Sequence, residues 1–208
     1  MEKIDLKREY KKLYSPSSKE VELIDVPEFN FIMIDGAIEK GMEPGNSPSF
    51  AEAVEALYGL SYTLKFMAKK RDENPVDYSV MPLEGLWWVE DGNFDINIKD
   101  NWFWSVRILQ PDFITEEMFK QTKSVLNKKK NNPSIDKTFF GKFKEGLSVQ
   151  MMHIGPYSTE PETVAKMNKF IAKNGYKFNG MHHEIYLSDP RKAKQEKMKT
   201  ILRHPVSE

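Results

Sequence analysis

The chain contains no cysteine, so it has no disulfide framework, no thiol nucleophile and no cysteine-based metal site. That fits a reducing compartment. Nor is there an excess of either charge. The 31 basic residues stand against 31 acidic ones, which removes any global electrostatic case for direct contact with nucleic acid or an anionic membrane. No apolar run is long enough to span a bilayer. The opening, MEKIDLKREYKKLY, lacks the apolar stretch of a secretory signal. A soluble cytoplasmic protein is the expectation. Also missing are a G-x-S-x-G elbow, a P-loop and a dinucleotide fingerprint. His153, His182, His183 and His204 match no zinc spacing and read as structural or pocket-wall residues. No metal and no cofactor are expected.

Flat apolar surface is plentiful. Aromatics make up 12 % of the 208 residues, with four Trp and thirteen Phe. This length can bury a real core.

Residues 1–20 read as a docked arm, anchored by Ile4, Leu6, Tyr10, Leu13 and Tyr14 and ending in the loop Ser15-Pro16-Ser17-Ser18. Residues 21–26 form a short extended segment ended by Pro27, and residues 29–34 a strand. Ser47 as cap and Pro48 at the first helical position start a helix. Its apolar face holds Phe50, Ala53, Val54, Leu57, Leu60, Leu64, Met67 and Ala68. Lys69-Lys70-Arg71 suits the negative end of that helix. Residues 78–89 read as an irregular strand because of Pro82 and Gly85. Asp91-Gly92-Asn93 reads as a turn, and residues 102–109 as the next strand. Thr115 caps a connecting helix over about 112–132, and residues 139–143 form a short strand.

The most informative stretch is 150–190. It reads as a strand ended by Gly155-Pro156, a helix from Ser158 or Thr159 to about Asn174, then a strand over 181–187. Thr159 and Glu162 have capping-box spacing. In the second strand, alternation puts His182, Glu184 and Tyr186 on one face. Met181, His183, Ile185 and Leu187 share the other, which looks like core. A carboxylate in mid-strand is either solvated on an open sheet face or held in a cavity. A last strand covers 200–206.

The order strand, helix, strand, strand thus occurs twice, over about 21–110 and about 138–206. Met81-Pro82-Leu83-Glu84 and Met181-His182-His183-Glu184 share Met-x-x-Glu, with Tyr78 and Phe178 three positions upstream. The repeat predicts Glu84 and Glu184 at matching positions, on opposite walls of one groove, with Trp88 on the face of Glu84.

Several motifs together resemble the GyrI-like small-molecule-binding domains, relatives of AraC- and MerR-type effector-binding domains. They are His153-Ile154-Gly155-Pro156-Tyr157, then Glu184-Ile185-Tyr186-Leu187-Ser188-Asp189-Pro190, then Thr200, Arg203 and Pro205-Val206. Pro82-Leu83-Glu84-Gly85-Leu86-Trp87-Trp88 and Asp5-Leu6-Lys7 with Leu13-Tyr14 resemble the stand-alone subgroup. The loop 37–46 departs from that subgroup, being longer and less regular. The resemblance implies a single α+β domain over 1–208. Its two pseudo-symmetric β-α-β-β repeats would form a curved antiparallel sheet, with helices on one side and a central ligand cleft.

By the same resemblance, the cleft binds planar, hydrophobic or cationic drug-like compounds. Some stand-alone members are similar to hydrolases that open the cyclopropane of DNA-alkylating antibiotics. Glu184 matches the family's buried acid, and Tyr157, Tyr186, Trp88 and Trp104 are the candidates for its aromatic cage. In a ring opening the catalytic pair would be Glu184 as base and Tyr157 as hydrogen-bond donor to the ligand's carbonyl. Glu84, Trp88, Trp104, Tyr186 and His182 are the ligand-binding candidates. On residues alone the four Trp read as core; the resemblance reverses this for Trp88. The alternative is a non-catalytic ligand sensor, or a module that binds or inhibits a protein partner.

Overall fold

The computed structural model describes residues 3–90, 94–97 and 102–208. The turn predicted at Asp91-Gly92-Asn93 lies outside them. In chain order the elements are β1 (Lys3–Ile4), α1 (Leu6–Glu9), α2 (Lys11–Tyr14), β2 (Glu22–Ala37), α3 (Pro48–Lys70), β3 (Asp77–Tyr78), β4 (Leu83–Trp88) and β5 (Phe103–Gln110). There follow α4 (Glu116–Asn127), α5 (Ser134–Lys137), β6 (Phe139–Ile154), α6 (Glu160–Lys173), β7 (Lys177–Phe178), β8 (His182–Tyr186) and β9 (Lys199–Ser207).

The main sheet runs β6-β2-β5-β4-β8-β9-β7, and β6 also pairs with β9. The sheet therefore curves round until it closes on itself. All of its pairings are antiparallel. β2, α3, β4 and β5 form one repeat, and β6, α6, β8 and β9 the other. They join where β2 meets β6 and where β4 meets β8, as a pseudo-twofold requires. The helix α3 packs on β2 and β5, while α6 packs on β6 and β9. Both lie on one side of the sheet, and the central pair β4–β8 is the floor between them.

Local chemistry explains most boundaries. The Ser47 hydroxyl caps α3 by accepting from Phe50 N–H at 3.2 Å, with Pro48 at the first helical position. Thr115 does the same for α4 through Met118 N–H. Ala53, Leu57, Leu60, Leu64 and Ala68 of α3 are buried, as their spacing predicts.

Three readings change. The segments 21–26 and 29–34 are one 16-residue strand, and so are 139–143 and 150–154. Pro27 sits inside β2, tolerated because the β2–β6 ladder skips the Pro27–Glu145 position, where Pro has no N–H to offer. The strand predicted over 78–89 is two pieces, since β4 starts only after Pro82; β3 pairs with β1 of the arm. The capping box of α6 does not form. A 3-10 turn, Tyr157–Thr159, precedes the helix, and Thr159 Oγ1 donates to Pro156 O at 2.9 Å. No helix among the described residues is long and apolar enough to cross a membrane.

Candidate functional site

Side chains on β8 alternate, and both of its faces are buried. His182, Glu184 and Tyr186 point to the helix side of the sheet. His183 and Ile185 point to the inner side, away from α3 and α6.

On the helix side, the Glu184 carboxylate is 6 % exposed. Tyr186 O–H donates to its Oε2 at 2.7 Å, and Trp87 Nε1–H donates to the Tyr186 oxygen at 3.0 Å. His182 Nε2 lies 3.0 Å from Oε1, and His182 Nδ1 lies 3.2 Å from His204 Nε2. Gly85 is directly opposite Glu184 in the ladder. A Cβ there would come within 2.9 Å of Trp87 Nε1 and 3.2 Å of the Tyr186 hydroxyl, so only glycine leaves room for the indole–phenol bond.

Rings surround this carboxylate. Tyr157 meets Tyr186 edge-on, with centroids 6.0 Å apart. Phe94 stacks on His182 at 5.2 Å and packs on Trp102 at 4.8 Å. Trp102 packs on Trp87, and Phe50 of α3 stacks on Trp87 at 5.3 Å. Burial, then the charge on Glu184, raises the Tyr186 phenol well above its ordinary value. Burial, then Glu160 and Glu184, raises Tyr157 too. Both therefore stay protonated as hydrogen-bond donors. Tyr157 sits on the turn that His153 braces from β6, with Nδ1 2.9 Å from Thr163 Oγ1 and Nε2 3.2 Å from Pro156 O. Burial lowers the pKa of His153, favouring a neutral brace.

The family model for the GyrI-like small molecule binding domain matches residues 19–206. The chain belongs to the GyrI-like family. No curated protein matches it. Two solved structures from Listeria innocua are similar over 99 % of this chain and 100 % of theirs. One is an uncharacterized conserved protein, 47 % identical with a TM-score of 0.88. The other is a hydrolase, 44 % identical with a TM-score of 0.84. The EcmrR C-terminal domain shares the fold at 13 % identity and TM-score 0.57, covering 91 % of this chain and 98 % of that one.

Of the residues predicted for the site, the GyrI-like domain brings Glu184, Tyr157, Tyr186 and His182 together. Trp104 is on the same side, 2 % exposed, edge-on to Phe50 at 5.5 Å and packed against Gly36. Glu84 and Trp88 are elsewhere. In the β4–β8 ladder Glu84 faces Ile185 while Gly85 faces Glu184, so the two acids lie on opposite faces of the sheet. They are not two walls of one groove. Trp88 goes with Glu84 and stacks on Phe103 at 6.0 Å. The indole on the side of Glu184 is Trp87, hydrogen-bonded to Tyr186; it, Phe50, Phe94 and Trp102 were not among the predicted site residues.

The inner face is a charged network rather than the apolar core expected around His183. Tyr14 O–H donates to Glu84 Oε1 at 2.7 Å. His183 lies between two carboxylates, 3.2 Å from Glu84 and 2.9 Å from Glu145. Arg203 pairs with Glu145 at 3.1 Å and donates to Gln150 Oε1 and Leu13 O. The Arg107 guanidinium sits 4.4 Å from the Phe143 ring centroid and donates to Ser105. Burial would raise Glu145, but His183 and Arg203 outweigh it and hold it at about 2. Among the described residues, no group of three or more His, Asp and Glu is placed to hold a metal ion.

Proposed function

We propose that this GyrI-like domain takes planar, hydrophobic or cationic aromatic compounds into the cleft over Glu184. We further propose that it adds water across the cyclopropane of DNA-alkylating antibiotics and so protects the cell. The observation that carries this reading is the buried Glu184 carboxylate. Its hydrogen-bond partners are a phenol and an imidazole, and its surroundings are aromatic faces. A cation over such a ring gains ~0.5–2 kcal/mol, and the carboxylate adds a counter-charge. The similar hydrolase structure from Listeria innocua supports turnover as well as binding.

In the ring opening, Glu184 takes a proton from water as the water oxygen bonds to the strained carbon. The carbon–carbon bond of the cyclopropane breaks, and its electron pair passes into the conjugated system to the carbonyl oxygen. Tyr157, held as a donor, hydrogen-bonds that oxygen where charge develops. The oxygen then takes up one proton, and Glu184 returns one to solvent, so the sum is one water added. General-base assistance of this kind contributes roughly 10²–10⁴-fold.

The test is to mix the purified protein with a cyclopropane-bearing alkylator and follow addition of water by mass spectrometry, beside Glu184→Gln. Conversion by wild type, lost in Glu184→Gln with binding retained, supports the reading. Binding without conversion in both would make Glu184 a counter-charge in a sequestering or sensing domain.

A further inference from the structure

Glu184 is backed by an imidazole that is itself backed by another. His182 comes from β8 and His204 from the neighbouring strand β9. Both are buried, at 2 % and 8 % exposed, and their rings pack with centroids 4.8 Å apart. His204 does not touch the cleft. Its other aromatic neighbour is Phe178 of β7, edge-on at 5.4 Å, and its cross-strand partner in β6 is Val149.

With both imidazoles neutral, the distances admit two proton arrangements. In one, Glu184 is a carboxylate, His182 donates Nε2–H to it, and the bare His182 Nδ1 accepts Nε2–H from His204. In the other, Glu184 is a carboxylic acid donating to His182 Nε2, and His182 donates Nδ1–H to His204. Two acceptors cannot face each other at 3.0 Å, so the two tautomers and the state of Glu184 change together. The choice rests on the function proposed above. Only an ionised Glu184 takes a proton from water or offset a ligand cation.

We propose that His204 is a positioning residue for Glu184: by donating Nε2–H to His182 Nδ1, it holds His182 as the Nε2–H tautomer and so keeps the carboxylate ionised. The charged and titratable surroundings fit. Burial, then His182, depresses His204 well below its ordinary pKa, so it stays neutral. Glu145 on β6 and His183 on β8 act on it more weakly and with opposite signs. Around His182, the titratable neighbours are Glu184 and His204.

The first measurement needs no ligand. Nitrogen-15 NMR of the full chain at neutral pH reads which His182 nitrogen carries the proton, with the signals assigned by their loss in His182→Asn. Wild type is expected to show Nε2–H and a bare Nδ1. His204→Leu removes the donor and shifts His182 towards Nδ1–H. His204→Gln, whose amide N–H donates over a similar reach, restores Nε2–H. In the ring-opening assay, His204→Leu should lower kcat roughly tenfold with KM within about twofold, as outer partners of functional imidazoles do. Wild-type His182 found as Nδ1–H or protonated on both nitrogens, or a His204→Leu protein with an unchanged tautomer, overturns the inference. A wild type that opens no ring defeats the proposed function instead, and the tautomer of His182 still decides the role of His204.

Discussion

The sheet carries two buried carboxylates of similar first neighbours and opposite setting. Glu84 on the inner face accepts from the Tyr14 hydroxyl at 2.7 Å and lies 3.2 Å from His183. Glu184 on the helix face accepts from the Tyr186 hydroxyl at 2.7 Å and lies 3.0 Å from His182. Beyond those neighbours they diverge. The inner network contains Arg203, Arg107 and a second carboxylate, Glu145, and the arm closes over it through Leu13 and Tyr14. The space left there is about 10 Å³, room for about one water. Behind Glu184 stands His204, which is neutral, and around it stand rings. An acid whose charge is already matched by buried cations is part of the fold. One with no guanidinium beside it is open to a visitor that brings a charge.

The largest expected effect separates the two. Glu84→Gln leaves His183 and the inner cations short of a partner. It should cost about 3–5 kcal/mol in denaturant unfolding, the usual consequence of breaking a buried charge pair, with affinity for planar cations unchanged. Glu184→Gln removes a buried charge that has no arginine or lysine beside it among the described residues. Its stability should stay within about 1 kcal/mol of wild type or rise, while binding or turnover falls. Equal stability losses in the two variants would sink the comparison.

A smaller effect follows from pH, and it should not depend on Glu184. Glu145 titrates at about 2 in the folded chain, against roughly 4.3 unfolded. Its contribution is present above the unfolded value and is lost as pH falls towards 2. For His183, burial alone would lower the pKa, but Glu145 and Glu84 prevail and raise it. Its contribution is present below the unfolded value of about 6.5 and is lost as pH rises through the folded one. Burial depresses His204 and His153 on the helix side, so their contributions are present above the unfolded value of about 6.5 and are lost as pH falls below it. Thermal unfolding should therefore show greatest stability near pH ~6.5, with nearly the same profile in Glu184→Gln. A maximum that moves in Glu184→Gln would mean that the cleft acid shares in holding the fold.

Much of this organisation was legible before any coordinates. The Ser47-Pro48 cap and the apolar stripe from Ala53 to Ala68 define α3. The alternation His182, Glu184, Tyr186 places one face of β8, and the repeated Met-x-x-Glu marks the two central strands. What could not be read was how those strands meet. Glu84 and Glu184 match along the chain, yet the β4–β8 register sets Gly85 against Glu184. Side chains alternate with period two, so that offset of one residue sends Glu84 and Trp88 inward and Trp87 to the cleft. Only long-range pairing carries that information. The role of the arm was hidden similarly: Tyr14 meets Glu84 across 70 residues of chain.

The smallest expected effect probes the register itself. Gly85→Ala adds one methyl at the point where the floor of the cleft is tightest. Its Cβ would sit 2.9 Å from Trp87 Nε1, closer than real Cβ atoms come, and 3.2 Å from the Tyr186 hydroxyl, a tight contact. The indole and the phenol must part by a few tenths of an ångström, which weakens their 3.0 Å bond. Mild overpacking of this kind costs about 1 kcal/mol. Because the strain falls on the cleft side, ligand affinity should drop severalfold while the inner face keeps its pH profile. Calorimetric titration with a planar aromatic cation, alongside thermal unfolding across pH, reads both. An alanine variant that binds as wild type does would show that Trp87 and Tyr186 are not where the ligand rests, and that the cleft over Glu184 is entered from another side.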